Sequence, residues 1–183
     1  VLTAIASLVF SLADTTVVLG HREHDVTGDG TSEILRVVGT GRSVDSLDVT
    51  FFIVSGVDTV YRARLAPLTR TVGFDRGRHT VSADEHRRRL AEFGGWFFDT
   101  GKFVSPAAFV DEVRGMASGR LAEIAAVIER DRPRSDARSG AVIWEEIRQA
   151  PVAVFTFSPG GDAVYAIAWS PSAQRFYRIF ECC

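Results

Sequence analysis

Between Asp25 and Glu33 the chain reads Asp-Val-Thr-Gly-Asp-Gly-Thr-Ser-Glu, with oxygen-bearing side chains at Asp25, Thr27 and Asp29 and a further carboxylate at Glu33. Alternate oxygens bent around a glycine are what a short loop needs to wrap a hard cation such as calcium. Set on the ligand spacing of a calcium loop, the donors are Asp25, Thr27, Asp29, the carbonyl of Thr31 and Glu33, with Gly30 at the sharp turn. Arg36 stands where an EF-hand has its bidentate glutamate, and a strand-like run follows instead of a helix. The same segment is also good turn chemistry, because Thr-Gly-Asp-Gly favours a tight β-turn whose acids are merely solvated.

The pattern of Asp25, Gly28-Asp29-Gly30 and Glu33 leading into a strand resembles the calcium loops of FG-GAP and VCBS-type repeats. The resemblance covers residues 25–33 only, and Thr27 stands where those repeats usually carry Asp or Asn. It implies a calcium ion held by Asp25, Thr27, Asp29, Thr31 and Glu33, with one negative charge fewer than the repeats supply. The ion it implies is structural.

A second cluster, His21-Arg-Glu-His-Asp25, holds two imidazoles and two carboxylates. His24 beside Asp25 or Glu23 has the makings of a general base, and two histidines can ligate a transition metal. In a strand, however, residues three apart point to opposite faces, and no third nitrogen or thiolate ligand is close in sequence. Other enzyme motifs fail on spacing. Between Gly95 and Gly101-Lys102 there is one residue too many for a phosphate-binding P-loop, and Phe103 replaces its metal-binding hydroxyl. In Gly115-Met-Ala-Ser-Gly119 the serine falls one position late for a nucleophile elbow. The basic run from Arg76 to Arg89 is interleaved with Asp84 and Glu85, which marks a solvated face.

Net charge is -2 with pI near 6.1, which argues against a dedicated nucleic-acid binder. Of the 21 basic residues only Lys102 is a lysine, and asparagine is absent, as in proteins encoded by GC-rich bacterial genomes. The first thirteen residues carry no charge, too short a run to span a bilayer but matching the apolar region of an export signal that ends at Ser11-Leu-Ala13. The expectation is a truncated signal at 1–13, a single domain at 14–183, no membrane span in the mature chain, and export to periplasm, envelope or medium. Cys182-Cys183 has no C-x-x-C spacing and is read as structural.

Three zones must position these residues. Up to about Leu68, β-branched and aromatic runs at 33–38, 46–54 and 59–65 predict antiparallel strands, with Leu47, Val49, Phe51 and Ile53 facing inward until Phe52 breaks the alternation. Ser82 and Glu85 form a capping box opening a helix that Gly94-Gly95 would end, and Ser105-Pro106 starts another. Further helices are expected after Gly119 and over 137–149, separated by a solvated loop at 130–136. Strands at 152–157, 163–169 and 175–180 predict a three-stranded antiparallel meander packed by the helices, with its middle strand apolar on both faces. The fold class is α+β.

Together these readings predict an exported, non-enzymatic bacterial domain with a structural calcium loop and a binding or envelope-associated role toward a protein or envelope partner. No catalytic residue is assigned. The alternatives are a small hydrolase built on His24 with Asp25 or Glu23, and a periplasmic inhibitor or chaperone-like protein.

Overall fold

Alternating apolar and polar residues drive the first half of the chain into an antiparallel meander of β1 (Thr15–His24), β2 (Glu33–Gly41), β3 (Asp48–Ser55) and β4 (Asp58–Arg64), paired in that order. The computed structural model describes residues 15–42, 47–65, 83–100, 102–116, 121–160 and 163–182. The apolar N-terminal run, Ser82, most of the basic run around Arg76 and the terminal Cys183 lie outside the described residues.

Leu35 and Val37 of β2 and Val49, Phe51 and Ile53 of β3 are buried on one face, as the alternation requires. Phe52, which breaks the pattern, lies on the opposite face between Arg36 and Arg62, whose guanidinium carbons sit 5.8 and 5.6 Å from its ring centre. Cation–π contact explains how an aromatic tolerates that half-exposed position.

Helix α1 (Ala83–Thr100) continues through Gly94-Gly95 rather than stopping there. The reason is steric. A Cβ on Gly94 would lie 1.7 Å from the Leu19 carbonyl oxygen, so Gly94 lets the helix backbone touch β1 directly. That approach delivers Phe93, Phe97 and Phe98 into the core.

The C-terminal meander of β6 (Val154–Gly160), β7 (Ala163–Ser170) and β8 (Arg175–Cys182) forms as expected and gains an outer strand, β5 (Lys102–Val104), too short to leave a periodic signature. One face of this second sheet packs on the first. Phe51 stands 5.5 Å from Phe155 and 5.3 Å from Phe157, and Tyr61 stands 5.7 Å from Phe176. Full burial of a side chain like Phe51 is worth about 1.5–3 kcal/mol. The other face carries Val154, Ala166, Ala168, Tyr177 and Ile179 against helices α2 (Pro106–Met116), α3 (Leu121–Asp131) and α4 (Gly140–Gln149). Ser105 caps α2 through the Ala108 N–H at 3.2 Å, and Ser139 caps α4, so α4 begins three residues later than its apolar pattern suggests. The α+β class is therefore realised as first sheet, second sheet and helices in succession. Among the described residues no helix is long and apolar enough to cross a membrane.

Candidate functional site

The loop of residues 25–32 joins β1 to β2 where His24 pairs with Glu33 across the hairpin. Asp25 folds back on the loop. Its Oδ1 accepts the Gly28 N–H at 2.7 Å and its Oδ2 the Gly30 N–H at 2.9 Å, while Asp29 accepts the Thr31 N–H at 2.7 Å. Glu33 points inward and is fully buried. Its Oε2 accepts the N–H groups of Val26 (3.0 Å) and Thr27 (3.3 Å), and its Oε1 accepts the hydroxyls of Thr27 (3.1 Å) and Ser55 (3.3 Å). Gly28, at φ +74°, is pressed against the Pro151 carbonyl, where a Cβ would lie 2.4 Å away. The Val26 carbonyl accepts the Ala153 N–H at 3.4 Å, fastening the loop to the lead-in of β6.

Of the five residues read as calcium donors, Thr27 and Glu33 are thus brought together deep in the hairpin, while Asp29 and Thr31 are exposed on its rim. Asp25 lies between them. Among the described residues, no group of three or more His, Cys, Asp or Glu converges on a point that could hold a metal. The oxygens of Asp25 and Glu33 accept from N–H and O–H donors, so in this arrangement hydrogen bonds close the loop. Arg36 stacks outward on Phe52, away from the loop interior.

His24 is half-buried with its ring 4.2 Å from Phe103; burial, aided by the Arg22 charge, lowers its pKa below 6.5 against the pull of Asp25 and Glu33. His21 and Glu23 are exposed, and the Asp25 carboxylate is committed to the loop backbone.

A second feature had no counterpart in the sequence reading. A cleft of about 510 Å³ separates β4 from β8, lined by Val60, Tyr61, Arg62, Ala63, Arg64, Asp131, Tyr165, Arg175, Phe176 and Arg178. Four arginines and a single acidic residue, Asp131, are thus among its lining residues. Arg64 is paired with Asp48. Arg178 lies 5.0 Å over the Tyr165 ring and contacts Asp131 at 3.7 Å and Glu181 at 3.2 Å. Arg62 and Arg175 stack on Phe52 and Tyr177, and neither forms an ion pair among the described residues. The Nε atoms of both Arg175 and Arg178 are buried without an acceptor. Tyr61, on the cleft wall, is pushed to a higher pKa by burial and by the charge of Asp131, so its phenol stays protonated.

Arg175 also borders a neighbouring hollow of about 560 Å³ floored by Asp136, Arg138 and Tyr177. This region corrects the expectation of a merely solvated loop at 130–136. Arg138 donates to Asp136 (2.7 Å), to Glu146 (2.6 Å) and to Ser172, and the Tyr177 hydroxyl donates to Asp136 at 2.6 Å. Glu146 in turn accepts from Ser170 (3.0 Å) and from the Ser172 N–H (2.8 Å). The Arg138 and Tyr177 bonds hold the Asp136 carboxyl far below its usual range. Burial opposes ionisation of Glu146, but the Ser172, Ser170 and Arg138 contacts outweigh it and lower its pKa. The network ties α4 to the β7–β8 turn. Its members are spread from Asp136 to Tyr177, so only the fold assembles it.

The protein is thus an α+β chain of two packed antiparallel sheets with a hydrogen-bonded hairpin clasp and an arginine-lined cleft. Comparison with protein-family models, with curated proteins and with solved structures returned no match.

Proposed function

We propose that this chain is a non-enzymatic binding domain of an exported bacterial protein, and that the cleft between β4 and β8 is where it takes an anionic partner. The observation that carries the reading is the charge of the cleft: four arginines line it against Asp131 alone, and Arg62 and Arg175 have no ion pair among the described residues. A bound carboxylate or phosphate would supply the acceptor that the buried Nε of Arg175 lacks, and a charge-assisted partner for Arg62. Arginine suits this role because its planar donors match anionic oxygens in pairs.

The Asp25–Glu33 loop serves this domain as a structural clasp that fixes the first hairpin on the second sheet. Calcium belongs to the proposal as an added ligand of the clasp, with Asp25, Thr27, Asp29, Thr31 and Glu33 as the residues to hold it. Because hydrogen bonds already close the loop, the ion's increment is small. With the ~10⁻⁴–10⁻³ M affinity of extracellular modules, ~1 mM calcium adds roughly 0.4–1.4 kcal/mol.

Fluorescence anisotropy with labelled polyglutamate and polylysine tests the cleft. Saturable, salt-sensitive binding of polyglutamate that Arg62→Glu and Arg175→Ala both weaken is expected; equal binding of the two polymers, or indifference to both substitutions, would end the reading. Terbium luminescence and calcium-dependent melting test the ion, and silence in both, with Asp29→Ala also inert, removes it. Fractionation of the source cell tests export, which unprocessed chain in the cytosol would refute.

A further inference from the structure

The cleft has a property beyond its charge: one of its walls is an open strand edge. The Leu65 N–H donates to the Val49 carbonyl at 2.8 Å, and β4 pairs with β3 in the register Arg64–Thr50, Ala63–Phe51, Arg62–Phe52 and Tyr61–Ile53. In an antiparallel ladder, hydrogen-bonded pairs alternate along the strand. Leu65, Ala63 and Tyr61 therefore turn their N–H and C=O groups toward β3, and Arg62 and Arg64 turn theirs the other way, into the cleft. Among the described residues no strand pairs with β4 on that side. Across the cleft, β8 is treated differently. Asp131 at the end of α3 accepts the Arg178 N–H at 3.0 Å and so closes that edge with a side chain.

Resting on the reading of the cleft as an anion-binding site, we infer that its ligand is an extended acidic peptide that adds to the first sheet as an antiparallel strand beside β4. Main-chain groups of Arg62 and Arg64 supply affinity, and the side-chain alternation supplies selectivity. A strand paired with β4 places every second side chain beside Arg62 and Arg64, where carboxylates are favoured. The intervening side chains point inward toward Tyr61, Tyr165 and Phe176, where apolar groups are favoured. The five lining residues Val60 to Arg64 offer roughly 16 Å of edge at ~3.3 Å per residue, enough for a short peptide. An open edge is otherwise a site of aggregation, and two arginines on this one discourage pairing with the same arginine-bearing edge of a second copy while admitting an acidic strand.

The test uses the full chain and a capped heptapeptide of alternating valine and glutamate, with versions methylated on every glutamate nitrogen or on every valine nitrogen, and a version with lysine for glutamate. Binding is measured by calorimetry, and backbone exchange in β4 by hydrogen–deuterium exchange. The expected result is that the parent and the valine-methylated peptides bind, that methylating the glutamate nitrogens weakens binding at least tenfold, and that the lysine peptide does not bind. Bound peptide slows exchange at Arg62 and Arg64, and Arg62→Glu weakens binding at least tenfold. If both methylated peptides bind like the parent while Arg62→Glu still weakens them, the cleft is an anion site but strand addition is wrong. Slow exchange at Arg62 and Arg64 before any peptide is added also overturns it, because the edge is then already covered. If no acidic peptide binds and polyglutamate does not either, both this inference and the reading beneath it fall.

Discussion

Glu33→Ala is the sharpest perturbation of the clasp. The wild-type carboxylate is fully buried and accepts the Val26 and Thr27 N–H groups and the hydroxyls of Thr27 and Ser55. Alanine leaves the two N–H groups without an acceptor in a buried site, at about 1–3 kcal/mol each, whereas the hydroxyls can rotate to other partners. The expected loss is about 3–5 kcal/mol, which for a chain of this size lowers Tm by roughly 6–20 °C. Glu33→Gln is the control. Its amide oxygen can take the two N–H groups while its NH₂ donates to the Thr27 and Ser55 hydroxyls, so only charge assistance is lost, about 1 kcal/mol. Urea unfolding in a chelating buffer separates this effect from that of any ion, provided the m-value is unchanged. An alanine variant within ~0.5 kcal/mol of wild type, or a glutamine variant as damaged as alanine, would refute the argument that these hydrogen bonds close the loop.

The network at α4 predicts an acid-sensitive fold. Glu146 and Asp136 both have folded pKa values below their unfolded ones, so the stability they contribute is complete above the ordinary carboxylate values of 4.5 and 3.8 and drains as pH falls through the lower folded values. Urea midpoints measured from pH 6 to pH 2 are expected to fall less steeply for Glu146→Gln than for wild type; parallel curves would exclude Glu146 as a contributor. At the crossing of α1 and β1, Gly94→Ala inserts a methyl 1.7 Å from the Leu19 carbonyl and is expected to cost about 3 kcal/mol. Gly95→Ala, with nothing within 4 Å of the added Cβ, serves as its control and is expected to stabilise the helix by up to about 1 kcal/mol. Chemical denaturation of the pair checks both, and equal midpoints would show that the backbone contact is not needed.

What could be read along the chain was what a local pattern encodes. The alternation in β3, the double-sided apolar run of β7 and the Ser105 cap each depend on residues a few positions apart, and each is where the pattern put it. Gly94-Gly95 misled because glycine ends helices and also permits close packing, and which applies depends on a strand some seventy positions earlier. The Asp25–Glu33 oxygens were legible as a set, but their direction was not. Glu33 turns into the protein, where it accepts from Ser55 and from the N–H groups of Val26 and Thr27, and spacing alone does not encode that turn.

The cleft was illegible for a related reason, and that reason bears on its role. Arg62 and Arg64 alternate with Tyr61 and Ala63 like the solvent face of any strand, and Arg175 and Arg178 fall three apart in another. Their charge becomes concentrated only because the inner faces of the two sheets pack through Phe51, Phe155, Tyr61 and Phe176, which brings the β4 and β8 edges together. Once the edges meet, like charges oppose one another across the gap, and the fold answers on one side only, with Asp131 on Arg178. A sheet selected for stability alone would be expected to place a carboxylate opposite Arg62 and Arg175 as well, since a pair at such a position is worth up to about 1 kcal/mol. Replacing Arg62, which is exposed and shares the Phe52 ring with Arg36, with glutamate is therefore expected to change stability by no more than about 1 kcal/mol, the lost cation–π contact being offset by relief of like charge, while abolishing anionic binding. If Arg62→Glu instead unfolds the chain, or binds polyglutamate as wild type does, the open charge is not what the cleft uses.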